Sequence, residues 1–339
     1  MFASKRRFTA LLLVVALLVT VAGCVQGGER EAMPPEKVTP PPAVQEVSPA
    51  EVETPAPEET EEVPPSTEGK LAFRFLDIPE LEKLNYAKWG DATLITFPTG
   101  ETMMIDVGEK DYTGYIINSL KDAGIQKINY IVITHFHSDH YGGLQQFLDA
   151  FEVDTVYFNG AEIMGDFSWK NVDGTNERVI GYAEAAGVNI EYLIAGDSVQ
   201  VGDVQIDALF PAVDSAADTT NDGSLVLKIS YGEQSALFTG DLYYSGEAIV
   251  LEEVDNALLN ADLLKIMHHG NNSSGSQEFI DAVSPVYAVA MGNFHMTNVG
   301  KNRYTKIGCQ AMETIDYGNV YVTFDGQDEI LCWTDRAPE

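Results

Sequence analysis

The stretch INYIVITHFHSDHYGG, residues 128–143, constrains the fold more than any other part of the chain. Ile128 to Thr134 is a continuous apolar run of strand length, which suits a strand buried on both faces of an α/β sheet. It ends in four ligand-type side chains, His135, His137, Asp139 and His140, and then in Gly142 and Gly143. The C-terminal end of a buried strand is where α/β sheets place their chemistry. Two histidines at i and i+2 on extended chain point to one side, so His135 and His137 can share an ion. Asp139 and His140, at the turn into a helix expected after the glycines, can reach a second ion nearby. The glycines let the chain bend sharply and let backbone come close. Imidazole and carboxylate at this density suit zinc, with manganese or iron as alternatives.

The surrounding pattern reads as strands and hairpins first, then alternating helices and strands. LAFRFLD (71–77), ATLITF (92–97) and ETMMIDV (101–107) have strand character, with Pro98-Thr99-Gly100 as a hairpin turn. Helices are expected at 112–123, from about Leu144, and near 177–186. Further strands fall at 153–158, 204–210, 224–231, 235–239, 261–267, 285–290, 319–324 and 329–334. Hairpins mixed with α/β crossovers imply an α/β protein with layered mixed sheets, and not a purely parallel one.

Two later segments belong with the first motif. FTGD (238–241) places Asp241 after a strand, and ADLLKIMHHGNNSS (261–274) ends a buried strand in His268, His269 and a polar loop. Adjacent histidines do not normally both face one ion, so one is a ligand and the other supports it or faces substrate; the residues alone leave that choice open. The pattern His-x-His-x-Asp-His before a helix resembles the first motif of the metallo-β-lactamase superfamily. That resemblance implies an αβ/βα sandwich, two mixed β-sheets between helices, with one or two metals on its upper edge and Asp241 bridging them. The order NDGSLVLKISYG, ALFTGD, LLKIMHHG is similar to the hydrolase domain of the ComEC competence proteins, and FLDI (75–78), GDATLI (90–95) and MMIDVG (103–108) resemble its start. The chain also resembles the phosphorylcholine esterase branch, in which the second histidine of such a pair is a ligand, and this selects His269. By the same resemblance His295 and Asn293, in MGNFHMTN (291–298), would face the reacting group; Asn271 and Ser273 are weaker candidates.

The sequence departs from those relatives in two places. PELEKLNYAKW (79–89) stands where competence-type domains have a short turn. No histidine lies between Tyr141 and His268, where the lactamases and glyoxalases supply a third ligand to the first metal. That first site would hold His135, His137 and Asp241, with positions left for water.

The first 69 residues, about a fifth of the chain, are of a different kind. Lys5-Arg6-Arg7, an apolar run from Phe8 to Ala22 and the ending Val-Ala-Gly-Cys24 read as an export signal with a lipobox-like cleavage site, or else as an uncleaved anchor. Residues 25–69 are rich in Pro, Glu and Thr, without hydrophobic periodicity, and are expected to form a disordered tether to a hydrolase domain at 70–339. The whole chain carries a net charge of −32, of which about −26 falls on that domain once the signal and tether are set apart. So acidic a body repels phosphate backbones at long range and disfavours long DNA as a partner. Cys309 and Cys332, in an exported domain, could pair as a disulfide or remain buried thiols.

Metals lower the pKa of bound water to about 7, supplying hydroxide at neutral pH. The expected activity is hydrolysis, with Asp139 orienting the nucleophile and His268 or His295 acting on a substrate oxygen. No G-x-S-x-G or phosphate-cradling G-x-x-x-x-G-K motif competes. The resemblance implies a phosphodiester substrate, the acidity favours a small-molecule or cell-envelope one, and the N-terminal signal implies a membrane attachment through the N-terminus, with no protein partner indicated. A lactone or lactam hydrolase, and a non-enzymatic ligand-binding lipoprotein, are the alternatives.

Overall fold

A computed structural model describes residues 65–78, 90–164, 174–292 and 295–337. These belong to one compact unit, Glu61–Glu339. The expected signal with Cys24, the tether as far as residue 64, the segment 79–89 and Asn293 lie outside the described residues.

Short apolar runs separated by turns give two mixed sheets. The first has eight strands: β1 (Leu71–Phe75), β2 (Thr93–Thr96), β3 (Thr102–Ile105), β4 (Lys127–Ile133), β5 (Glu152–Asn159) and β6 (Asn189–Leu193), with the late strands β14 (Val320–Phe324) and β15 (Ile330–Thr334). Their order is β15-β14-β1-β2-β3-β4-β5-β6. The second sheet holds β7 (Ser198–Val201), β8 (Val204–Phe210), β9 (Val226–Tyr231), β10 (Gln234–Phe238), β11 (Leu263–Lys265), β12 (Tyr287–Ala290) and β13 (Gln310–Glu313). Its order is β13-β12-β11-β10-β9-β8-β7. In each sheet the tight hairpins give antiparallel neighbours, and the crossovers through helices give the parallel set β3–β6 or β10–β13.

Strand alternation sorts side chains between three apolar layers. β1 turns Leu71, Phe73 and Phe75 inward, where Phe238 and Phe324 meet them between the sheets; the Phe73 and Phe75 rings lie 6.1 and 6.0 Å from that of Phe238. Burying one such phenylalanine contributes about 2–3 kcal/mol. β4 shows why its sequence is apolar on both faces: Val132 enters the inter-sheet layer, while Ile131 and Ile133 pack outward under helices. Those helices include α1 (Thr113–Asp122), and, after a helical turn α2 (Ser138–Tyr141), α3 (Leu144–Ala150). The short α4 (Gly160–Met164) leads to α5 (Thr175–Ala186), which closes this face with Val179 and Ala183. On the far side α6 (Tyr244–Glu253), α7 (Asn256–Leu259), α8 (Gln277–Val283) and α9 (Asn298–Lys306) cover the second sheet, and α10 (Thr314–Tyr317) follows β13. The result is the layered mixed-sheet protein that the sequence pattern implies, in the αβ/βα arrangement that the resemblance implies.

Two expectations need correction or completion. The chain becomes helical at Ser138, before the glycines. Gly142 and Gly143 have ordinary helical φ values of −54° and −80°, so bending is not their task. A Cβ on Gly142 would lie 2.2 Å from the Ser138 carbonyl oxygen, and one on Gly143 would lie 2.4 Å from that of Val107; they are needed for close packing. Cys309 and Cys332 are free thiols, the first in the helix-covered layer of the second sheet and the second against the inter-sheet layer.

Candidate metal centre

The C-terminal ends of β3, β4, β10 and β11 meet on one edge of the sandwich, and each delivers part of a polar cluster. β3 ends at Ile105, and Asp106 follows in the left-handed region, at φ 56°. Its carboxylate accepts from the Thr134 amide and hydroxyl, both at 2.8 Å, and from His140 Nδ1 at 2.7 Å. Because the Thr134 hydroxyl gives its one hydrogen to Asp106, it can only accept from His135 Nδ1, 3.1 Å away. Asp106 therefore fixes two imidazoles, His140 directly and His135 through Thr134. Both rings thereby turn Nε2 away from this support and toward another partner, as ligating histidines do.

His135 Nε2 lies 3.2 Å from His137 Nδ1 and 4.0 Å from Asp241 Oδ2. The extended backbone of His137 then caps α2, and this turn carries Asp139 and His140 away from that pair. His140 Nε2 stands 3.0 Å from Asp241 Oδ2 and 3.8 Å from Asp139 Oδ2, yet among the described residues makes no well-aligned hydrogen bond. His269 Nε2 stands 3.2 Å from each of the same two oxygens. Donors about 2.0–2.2 Å from a tetrahedral zinc are about 3.3–3.6 Å apart. Asp139, His140, Asp241 and His269 thus fit one divalent ion, and His135, with His137 beside it, lies next to the same Asp241 oxygen.

The two adjacent histidines are separated by backbone conformation. β11 ends in a tight turn, Met267–Gly270, within which His268 and His269 have φ values of 43° and 55°. Consecutive left-handed residues are costly for non-glycine side chains and persist only where the surroundings hold them. Here the turn sends His269 into the buried cluster, its Nδ1 3.1 Å from Asp91 Oδ1. His268 goes toward the surface, its Nδ1 2.6 Å from Ser273 Oγ and its ring edge-on to Tyr243.

Asp91 also pairs with the buried Lys265 ammonium, which donates to the Gly240 carbonyl at 2.9 Å and approaches Asp241 Oδ1 at 3.4 Å. One oxygen of Asp241 is thus held by lysine and the other is offered to the histidines. Asp91, Asp106 and Lys265 were not singled out from the sequence, although each stood in a segment that was. A charge inside or at the end of an apolar strand run, as in LLKIM or MMIDV, was the available signal.

Electrostatics follow this construction. Burial alone would lower the pKa of His140 and His269, but Asp241 with Asp106 and Asp139 in one case, and Asp241 with Asp91 and Asp139 in the other, hold both rings well above their ordinary range. Burial would likewise raise Asp139 and Asp241, and the neighbouring imidazoles keep both below the usual carboxylate range. His135 and His137 are lowered by burial, and His140 adds to it. The cluster is rich in carboxylates and attracts protons where a divalent cation would sit. Burial leaves His268 below its ordinary value, and so neutral at pH 7.

His295 is placed apart from this cluster. Its side chain is 58% exposed, with Nδ1 3.4 Å from Asp316 Oδ1, in a separate group with Glu313 and Asp316. Glu313 is already engaged by the Met296 amide and the Lys301 ammonium, so a cation occupies that corner.

Residues 90–295, which hold the whole of the cluster, match the profile of the Metallo-beta-lactamase superfamily. The chain belongs to this superfamily. Members of the metallo-beta-lactamase superfamily are usually metal-dependent hydrolases, and the His/Asp donor set here suits a divalent metal, typically zinc. Two curated relatives are the ComE operon protein 3 of Bacillus subtilis, 31% identical over 183 residues, and the Competence protein ComA of Neisseria gonorrhoeae, 26% identical over 230 residues. These alignments take in 54% and 65% of this chain but only 22% and 28% of the relatives, so the chain spans about a quarter of their length. Among solved structures, the metallo-beta-lactamase fold protein YhfI from Bacillus subtilis covers 75% of this chain and 100% of its own, with a TM-score of 0.49 and 13% identity.

Proposed function

We propose that this superfamily member is an exported, membrane-tethered hydrolase of a small or cell-envelope phosphodiester that works with two divalent ions, zinc or manganese. The observation that carries the reading is the position of Asp241 Oδ2, 3.0 Å and 3.2 Å from His140 and His269 and 4.0 Å from His135. One carboxylate oxygen borders both donor groups. Paired ions supply an activated water and neutralise charge on attacking and leaving oxygens, which suits in-line displacement at phosphorus.

The chain's own residues have distinct parts in this reading. Asp106 and Asp91 hold His140 and His269 in the tautomer whose Nε2 is free to bind. Lys265 restricts Asp241 to one open oxygen. His268, neutral and steadied by Ser273, can donate a hydrogen bond to a substrate oxygen and favours the charge that develops there. The resemblance of the motifs to the ComEC hydrolase domain and the phosphorylcholine esterase branch supports a phosphodiester, and the acidity of the body argues for a compact one over long DNA.

Purified protein is to be assayed, before and after chelation and metal return, on bis-p-nitrophenyl phosphate, phosphocholine esters, DNA, a lactone and a lactam. Metal-dependent cleavage of the phosphate esters is expected. Cleavage of the lactone or lactam alone would replace the substrate class, and tight metal binding with no hydrolysis would favour a ligand-binding lipoprotein. For the tether, Cys24→Ser should release the protein from membranes or leave it unprocessed. Mass spectrometry finding no lipid on the wild-type protein would end that part of the proposal.

A further inference from the structure

The group formed by His135 and His137 lacks a third protein ligand of its own, and the chain between Tyr141 and His268 has no histidine to give. A buried turn, Asn221 to Ser224, occupies this neighbourhood. Ser224 accepts from the Asp241 amide at 3.0 Å, and the Asn221 carbonyl accepts from the Ser224 amide at 3.0 Å. Asn159 ties the turn to the end of β4, its Nδ2 donating to the Gly223 carbonyl at 2.7 Å and the Thr134 carbonyl at 3.1 Å. The turn is thereby fastened both to Asp241 and to the residue before His135. Asn221 itself is 2% exposed, and its side chain interacts with those of both His137 and Tyr243. Among the described residues its buried Oδ1 makes no well-aligned hydrogen bond. Such an oxygen is destabilising unless something satisfies it, and those that persist call for an explanation.

We infer that Asn221 Oδ1 is the missing protein ligand of the first metal site, completing a set with His135 Nε2, His137 Nδ1 and Asp241 Oδ2. The assignment rests on the metal-centre reading above. It deepens that reading in one respect: a neutral carbonyl oxygen is a harder donor than imidazole, so this site suits manganese better than the same site with a third histidine would. It also accounts for a buried amide oxygen that makes no well-aligned hydrogen bond among the described residues, beside His137.

The test is a titration of metal-free protein with Mn2+ and with Zn2+, followed by calorimetry and by the Mn2+ spin-resonance signal. It is made on the wild type and in a His269→Ala background that retains only the His135/His137 group. Adding Asn221→Ala to that background should weaken the remaining ion by about 10–100-fold. Asn221→Asp, of the same size, should hold it at least as tightly. Asn221→His should shift the preference of that ion from Mn2+ toward Zn2+. Melting of the metal-free variants separates loss of a ligand from loss of the fold. Wild-type Mn2+ affinity in the Asn221→Ala variant, with normal melting, would overturn the assignment. If two ions bind as described while no phosphate ester is cleaved, the proposed activity fails and the ligand assignment stands.

Discussion

In one half of the metal centre, donor atoms from Asp139, His140, Asp241 and His269 stand at separations that include 3.0, 3.2 and 3.8 Å, and both imidazoles are pinned from behind by buried carboxylates. The other half offers two imidazoles 3.2 Å apart and an Asp241 oxygen 4.0 Å from His135. Only one of those imidazoles, His135, is held by Asp106, and then through a threonine hydroxyl. The difference teaches that affinity in such a centre is set as much by what lies behind the ligands as by the ligands. Side chains already fixed in the binding tautomer lose little freedom when the ion arrives. The Asp139 half should therefore fill first.

The most severe way to break this comparison is at the residue both halves share. Asp241→Ala should lose both ions and hydrolysis together, read as metal content after gel filtration; retention of one tightly bound ion would make the halves independent. Next in size is His268→Ala, which should keep both ions and lower the rate by about 10²–10³-fold, as for removal of one donor to a developing charge. Loss of metal in this variant would exchange the roles of His268 and His269.

The bracing carboxylates sharpen the comparison further. Asp91→Asn should weaken the Asp139 half alone, by about 10–100-fold, and Asp106→Asn should weaken both halves by a similar factor. Equal effects of the two variants on each ion would contradict the wiring through Thr134.

The smallest expected effect concerns support for the weaker half. Glu162 is buried beside Phe136, which lies between the two histidines of that half; the Phe136 amide is directed at its carboxyl group and, among the described residues, one carboxyl oxygen has no hydrogen-bond partner. Burial pushes its pKa well above the ordinary 4.5. The folded state then holds a proton that the unfolded chain releases above that value, so stability falls as pH rises from there through the folded pKa. Glu162→Gln removes this dependence and should raise the melting temperature by about 2–4 °C at pH 8, with little change at pH 4. A lowered melting temperature at pH 8 would show that the carboxylate is used in its charged form.

Much of this was legible in the sequence because it depends on local pattern. The buried strand at 128–134, the ligand cluster after it and the strand ahead of His268 each follow from apolar runs that stop abruptly. The strands without such a pattern are β6, β7 and β13, and all three are sheet edges. The residues of β6 and β7, NIEYL and SVQV, are largely exposed and carry no apolar periodicity, and β13 is the short, half-buried QAME. β15 is also an edge, yet ILCWT is apolar enough to read. Within the site, ligands were recognisable by type and spacing, whereas their supports were not. Asp91 reaches His269 across 178 residues, and Asp106 reaches His140 across 34, contacts that only the tertiary fold creates. The choice between His268 and His269 lay in two left-handed backbone residues, which nothing in the dipeptide announces.

The claim of two unequal halves is tested most directly by stepwise zinc titration of metal-free full-length protein against a chromophoric chelator, for the wild type, His269→Ala and His137→Ala. The account predicts two equivalents in the wild type, the tighter one lost in His269→Ala and the weaker one lost in His137→Ala. A single equivalent in the wild type, or the same equivalent lost in both variants, would contradict it.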